Sequence, residues 1–517
     1  MASKFQPLKI LFVAAEVAPY TKFGGLADVA WALPRELKSL GHDVKIIIPK
    51  YGSIDTEKFN IKKYRDNIVV KTKSGDIVSN IYKGIIPDNI EVFLVENREY
   101  YELRSNVYGY SDDARRFMLL SLAALEFVRG EDFNLDVIHA NDWHTGYLPN
   151  LLKTVYKNDE KLNSISTVFT IHNLSLQGIN KRALKPTEID QGNSPLPDLM
   201  SDDINKINGL LRGIIYSDFV NTVSERYARE ILTPEFGEGL DPVLKEMRYK
   251  LTGIRNGLDY KVLSPDVDTN IYVNYDLNSI EKKVENKIEF QKEFDLEVNP
   301  DIPLIGFVGR LTEMKGLGLM HDTLGPLLEN LNFQFCVVGG GDEYWENFFL
   351  KLIEKYPKKV AGHVMISTTF AQKLFAATDI FLYPSKFEPC GIAHAIAMRF
   401  GSVPIVRETG GLADSVVDVN KYPDKGEGFM FKEYDKMEFL IQLIEAITIY
   451  KYNRGEWNRI RERAMKRDLS WKNSAIKYVH VYEKAIDKHD KWMKRENLRY
   501  PDNPGEVPGY SAMEVLS

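Results

Sequence analysis

The chain has 517 residues, 44% of them hydrophobic and 27% charged, with a formal net charge of -6. A single hydrophobic core stops growing near ~250 to 300 residues, so two domains are expected, and the near-average composition excludes extended disorder. No long basic block exists to track phosphates, which excludes nucleic acid as a partner, and no apolar stretch approaches the ~20 residues that cross a bilayer, which excludes a membrane-spanning helix.

The amino terminus carries lysines before an apolar run, Ile10 to Ala15, but Glu16 interrupts that run, so a buried strand is expected rather than a signal peptide. Gly24 and Gly25 follow, then a helical pattern from Ala27 to Leu40: strand, glycine loop, helix. Further strands are predicted at Val44 to Pro49, Val92 to Glu96, Val137 to Asp142, Ser166 to Asn173 and Phe219 to Ser224, with helical stretches between several of them. Such alternation builds a mostly parallel sheet covered on both faces. The same grammar restarts near residue 300, with strands predicted at Leu304 to Arg310, Phe333 to Gly339, Val364 to Thr368, Ile380 to Ser385 and Ser402 to Arg407. Between the halves, Asp266 to Ser279 is polar and turn-prone, so a hinge is placed just before or inside it. Four pieces follow: a first domain over 1–265, a second over 266–480, a terminal helix over 481–496, and a proline- and glycine-rich tail over 497–517 with no assigned role. In the terminal helical stretch Tyr478 and Tyr482 stand four apart, on one face that requires an apolar partner. The only two cysteines, Cys336 and Cys390, lie in different predicted elements, so no disulfide framework is expected and a reducing compartment fits.

In open parallel sheets ligands bind beyond the carboxyl ends of the strands. After the first strand, Lys22 precedes Gly24 and Gly25, where close backbone approach and a helix start suit a diphosphate; a plain strand-to-helix turn explains the same residues. After the first strand of the second half, Arg310 and Lys315 stand five apart and reach phosphate oxygens from one loop, or are simply solvated. The glycine run from Val337 to Asp342 is read as structural. His139 and His172 end apolar strands; His172 suits contact with a sugar, whereas His139 has the apolar flanks of a satisfied core histidine. A zinc site is disfavoured, since neither a second histidine at helical spacing nor cysteine ligands lie nearby. The segment from Pro384 to Gly401 is the richest. Glu388, beside a helix start, suits binding sugar hydroxyls or offsetting positive charge at an anomeric carbon, while Cys390 has no adjacent base and is assigned packing plus a backbone N–H.

Taken together, KFGGLADVAWALPREL, DWHTGYLPNLLK, VFTIHNL, LTGIRNGLDY, GFVGRLTEMKG, PSKFEPCG and VRETGGLADSV resemble the glycogen and starch synthase family, in order and spacing, from about residue 8 to residue 485. The resemblance implies an α/β fold of two Rossmann-like doubly wound domains facing across a cleft, the GT-B architecture, with the final helix returning to the first domain. It implies transfer of glucose from ADP-glucose to the nonreducing end of an α-1,4-glucan or maltooligosaccharide, with retention of configuration. ADP-glucose is then a co-substrate, and no cofactor or metal is expected. UDP-glucose or another acceptor is the alternative within this architecture, and a catalytically weak glucan-binding scaffold the alternative outside it.

On matching positions the resemblance assigns Lys22, the Gly24 and Gly25 amides, Arg310 and Lys315 to the leaving diphosphate. It assigns Asp142, His172 and Asn256 to the glucose hydroxyls and the acceptor side, and Glu388 with the Cys390 and Gly391 amides to orienting glucose from the second domain. Tyr108, Asp112 and Arg116 lie in YGYSDDARRF, which also resembles the family and is expected to border the cleft. The first domain is thus the acceptor side and the second the nucleotide-sugar side, in a cytoplasmic protein, or one of the plastid stroma after removal of a transit peptide. Ile392 to Ile396 depart from the family's usual GLTQLYAM, and the hydroxyl expected near phosphate is missing at Ala393.

Overall fold

The computed structural model of the protein describes residues 6–180 and 184–499; the unassigned tail lies outside the described residues from residue 500 onward. The chain forms two compact units. Among the described residues the first comprises 6–223, 228–254 and 471–499, and the second comprises 224–227 and 255–470.

The first unit is built on strands β1 (Lys9–Val13), β2 (Asp43–Pro49), β3 (Lys62–Thr72), β4 (Gly75–Ile86), β5 (Ile90–Glu96), β6 (Val137–Asn141), β7 (Ser166–Ile171), β8 (Phe219–Thr222) and β9 (Leu251–Gly253). They form one sheet in the order β3-β4-β5-β2-β1-β6-β7-β8-β9. From β5 to β9 all neighbours are parallel, whereas β3 and β4 form an antiparallel hairpin added at one edge. The central strands are apolar and buried along nearly their whole length, as strands covered on both faces must be. The hairpin was not evident from sequence: β3 reads KKYRDNIVVKT, largely exposed at its start, so its charged residues conceal the alternation.

The second unit contains β10 (Leu304–Val308), β11 (Gln334–Val338), β12 (Val360–His363), β13 (Ile380–Tyr383), β14 (Val403–Arg407) and β15 (Phe429–Phe431), all parallel, in the order β12-β11-β10-β13-β14-β15. This is the 3-2-1-4-5-6 winding of a Rossmann unit. Its core gathers Ile305, Phe335, Phe381 and Ile405 from the strands with Leu324 and Trp457 from the covering helices. Chain direction across the sheet reverses between β1 and β6 in the first unit and between β10 and β13 in the second, and crevices open beyond such switch points.

Three sequence expectations change. The strand expected at Val364 to Thr368 lies earlier, at Val360–His363: Ser367 accepts a hydrogen bond from the Phe370 N–H (3.4 Å) and caps the helix Thr368–Ala377, leaving Met365 and Ile366 exposed. The first unit gives way to the second between Ile254 and Arg255, upstream of residue 265. The polar segment read as a hinge is folded into the second unit, where Asn286 Oδ1 accepts from the Tyr272 N–H (3.0 Å) and the buried Tyr275 hydroxyl donates to Phe400 O (2.7 Å). Asparagine and aspartate serve internal hydrogen bonds as readily as they mark linkers, and composition does not separate the two.

The terminal helix spans Trp471–Arg499 and belongs wholly to the first unit. Tyr478 and Tyr482 are buried on one face, as expected. The Tyr478 hydroxyl accepts from Asn221 Nδ2 (3.0 Å), and the Tyr482 hydroxyl pairs with His139 Nδ1 (2.9 Å). Farther along, His489 bonds the Asn163 carbonyl (2.8 Å) beside the buried Lys153–Asp218 ion pair (2.9 Å).

Candidate active site

In the first unit the sequence-selected residues cluster at the carboxyl ends of β1, β6 and β7. Asp142 is the first residue after β6 and has φ 56°, a left-handed conformation that a non-glycine residue adopts only when its surroundings impose it. Its Oδ1 accepts from the backbone N–H of His172 (2.7 Å) and of Asn173 (3.4 Å) at the end of β7. Burial raises the Asp142 carboxyl to about 7 against those two donors. His172 Nε2 lies 2.9 Å from Asn141 Oδ1. Since Asn141 Nδ2 already donates to Val13 O and His139 O (both 3.1 Å), the histidine is the donor and its Nδ1 is left as an acceptor. Burial lowers His172 to about 3, so the ring is neutral. His139 is a core histidine, bonded to Thr170 Oγ1 (2.6 Å) as well as Tyr482.

The loop after β1 is organised by a residue that sequence reasoning noticed only as an interruption. Glu16 is buried, and its carboxylate accepts from the backbone N–H of Phe23 (2.5 Å) and Gly24 (3.2 Å). Burial raises it to about 6 in spite of these donors. The Gly24 N–H, expected to face a diphosphate, is thus engaged by Glu16. Lys22 Nζ pairs with Asp28 Oδ1 (2.7 Å) in an exposed ion pair, and Gly25 opens the helix Gly25–Ser39. Tyr108 packs on His144 (ring centroids 4.7 Å apart) and so reaches the Asp142 corner. Arg116 is fully buried and bonds Tyr100 O (2.7 Å) and Val107 O (3.0 Å); it supports the segment around Tyr108 rather than facing solvent. Asp112 pairs with Arg104 (2.5 Å). An acidic residue directly after a buried strand was the available signal for Glu16.

In the second unit Lys315, Glu388 and Tyr383 form one group: Lys315 Nζ lies 2.5 Å from Glu388 Oε2 and 3.1 Å from the Tyr383 hydroxyl, and Ser385 Oγ donates to the same carboxylate (3.2 Å). Burial pulls the Lys315 ammonium down, yet the Glu388 carboxylate and Tyr383 outweigh it and hold the pKa above its ordinary value. The lysine is brought there by a turn ending in Gly316 at φ 79°, where a β-carbon would fall 2.0 Å from Pro384 O; only glycine fits. Arg310 follows β10 and is exposed.

The turn after β13 carries the remaining residues. Cys390 is a buried free thiol, pushed up to about 12 by burial although the Asn256 N–H bonds it. It is no nucleophile in this setting. Asn256, expected with the first domain, sits in the second unit beside Cys390, and its Oδ1 is buried without a partner among the described residues. Gly391 has φ 72°, and a β-carbon there would meet Glu388 Cγ at 3.0 Å and His394 at 3.2 Å. His394, in the segment that departs from the family pattern, is buried and neutral, lowered to about 3 by burial and the charges of Arg255 and Lys315; its Nε2 meets Ser415 Oγ at 2.5 Å. Among the described residues no three histidine, cysteine, aspartate or glutamate side chains gather as a metal-binding group, and no helix is long and apolar enough to cross a membrane.

Residues 9–246 match the family described as starch synthase catalytic domain, and residues 289–467 match glycosyl transferases group 1. A glycogen synthase of Desulforamulus reducens is 40% identical over 489 residues, 94% of this chain and 100% of the relative. That of Thermotoga maritima is 40% identical over 489 residues, covering 93% and 99%. Among solved structures, the catalytic domain of starch synthase IV from Arabidopsis thaliana, bound to ADP and acarbose, superposes with a TM-score of 0.83 at 30% identity, covering 93% of this chain and 100% of that one. At this identity and coverage the chain belongs to the glycogen and starch synthase family of retaining glucosyltransferases.

Proposed function

We propose that the protein transfers glucose from ADP-glucose to the nonreducing end of an α-1,4-glucan without a metal ion. The observation that carries this reading is the Lys315–Glu388–Tyr383 group at the switch point of the second unit, with Glu388 and Tyr383 buried and Lys315 largely so. A diphosphate leaves poorly unless its growing charge is met, and a lysine held protonated in a low-dielectric site meets it at no cost in reorganisation. Lys315, the exposed Arg310 and Lys22 take that part. Glu388, with the Cys390 and Gly391 N–H groups, orients the glucose, and Asn256 Oδ1 accepts from one of its hydroxyls. The second unit is therefore the nucleotide-sugar side and the first the acceptor side, where Asp142, His172 and Tyr108 hold sugar hydroxyls.

Departure of the diphosphate leaves an oxocarbenium-like centre, which the acceptor hydroxyl attacks from the same face, giving retention. The bound ADP and acarbose of the Arabidopsis starch synthase support both halves of the reading. Two free, buried cysteines suit a cytoplasmic setting.

The test is incubation of the purified protein with maltoheptaose and either ADP-glucose or UDP-glucose in the presence of EDTA, following nucleotide release and chain extension. ADP release with stoichiometric extension is expected. Preferential UDP release would reassign the donor, and dependence on added magnesium would overturn the metal-free reading.

A further inference from the structure

Phe23 is two-thirds exposed (66%) in a loop that is otherwise held from several sides. Single exposed apolar residues are ordinary on protein surfaces. Phe23 differs in how it is fixed. The Glu16 carboxylate holds its backbone N–H at 2.5 Å, and the Tyr108 ring meets the Phe23 ring edge to face, with centroids 5.2 Å apart and planes at 80°. A buried carboxylate thus fixes the backbone of Phe23, and a ring contact fixes its side chain. Tyr108 continues to His144, two residues beyond Asp142. An apolar ring is thereby presented to solvent at the rim of a corner lined with carboxylate, imidazole and phenol groups.

We propose that Phe23 is a stacking platform for a glucopyranose unit of the acceptor chain, behind the unit whose hydroxyls face Asp142 and His172; this rests on the glucosyl-transfer reading above. A pyranose ring has an apolar C–H face and a rim of hydroxyls. The face suits the electron-rich surface of a phenyl ring, and the rim suits the polar groups beyond it. Because backbone and ring are already fixed, little freedom is lost on binding, and the contact gives more affinity than a mobile side chain would. The ring serves chain length rather than chemistry, since it carries no group able to act on the anomeric carbon.

The test compares wild type, Phe23→Thr and Phe23→Trp on maltotriose and maltoheptaose, by kinetics with ADP-glucose and by calorimetric binding of maltoheptaose alone. Phe23→Thr is expected to raise the maltoheptaose KM and weaken its binding by about fivefold to tenfold, with donor KM and kcat within about twofold, and Phe23→Trp to restore binding. Unchanged maltoheptaose binding in Phe23→Thr, or a rise confined to donor KM, overturns the proposal. Failure of the transfer reading looks different: wild type that binds maltoheptaose but transfers nothing still shows the Phe23 effect in calorimetry. Wild type that transfers glucose to glycogen without binding maltoheptaose sinks the platform alone.

Discussion

The two switch points solve the same electrostatic problem in opposite ways. In the second unit a buried carboxylate, Glu388, is paired directly with a largely buried cation, Lys315. In the first, the buried carboxylates Glu16 and Asp142 are satisfied by backbone N–H groups, while the nearby cation, Lys22, sits outside on an exposed aspartate. The consequence is visible in protonation: the lysine of the second unit is held charged, and the two acids of the first are held toward their neutral forms. On the proposed reading, the paired charge is fixed in place for the leaving diphosphate. Acids poised near neutrality suit hydroxyl groups, to which they offer both donor and acceptor.

The sharpest way to break this contrast is Glu388→Ala. It should lower kcat by about 10²- to 10³-fold and, by leaving the largely buried Lys315 without its carboxylate partner, destabilise the protein by up to about 3–5 kcal/mol. Steady-state kinetics and thermal unfolding check both; unchanged turnover would remove Glu388 from the site. Asp142→Asn addresses the other side. An acid whose pKa is raised on folding contributes stability that is fully present below its ordinary value of 3.8 and is lost as pH rises through about 7. Wild type should therefore lose on the order of a few kcal/mol across that window, with Glu16 adding a loss of the same sign through about 6, and Asp142→Asn should flatten the curve. A curve as steep as wild type would refute it.

Smaller effects separate function from stability. Lys22→Met should reduce kcat/KM for the donor by about tenfold or more while leaving the unfolding temperature nearly unchanged, because exposed ion pairs contribute little to stability. Asp28→Asn should shift stability by less than about 0.5 kcal/mol and slightly lower donor KM, since it releases Lys22 from its partner. A raised donor KM in Asp28→Asn would show that the Lys22–Asp28 pair is itself the binding form.

Much of this was legible in the sequence because buried parallel strands are apolar runs, and the residues that follow them inherit a fixed place in the fold. Lys315 and Glu388 were both singled out, though their direct pairing was not, since it depends on a turn and a strand end separated by many residues. The sequence places Asn256 with the first domain because its flanking residues look continuous with β9, whereas the fold carries it in the second unit. Glu16 is not legible in the sequence, since a lone acid after a strand has no periodicity; its importance lies in two backbone donors that converge only on folding. The β3–β4 hairpin was hidden by charge on its solvent face.

The return of the Trp471–Arg499 helix to the first unit also sets an order of events during synthesis. Amino-terminal domains commonly fold while the rest of the chain is still being made. Here that cannot finish: until Tyr478 and Tyr482 leave the ribosome, the side chains of His139 and Asn221 lack the hydroxyls that complete them. The nascent first unit waits with that face uncovered while the second unit, whose sheet is contained between residues 304 and 431, is free to fold ahead of it.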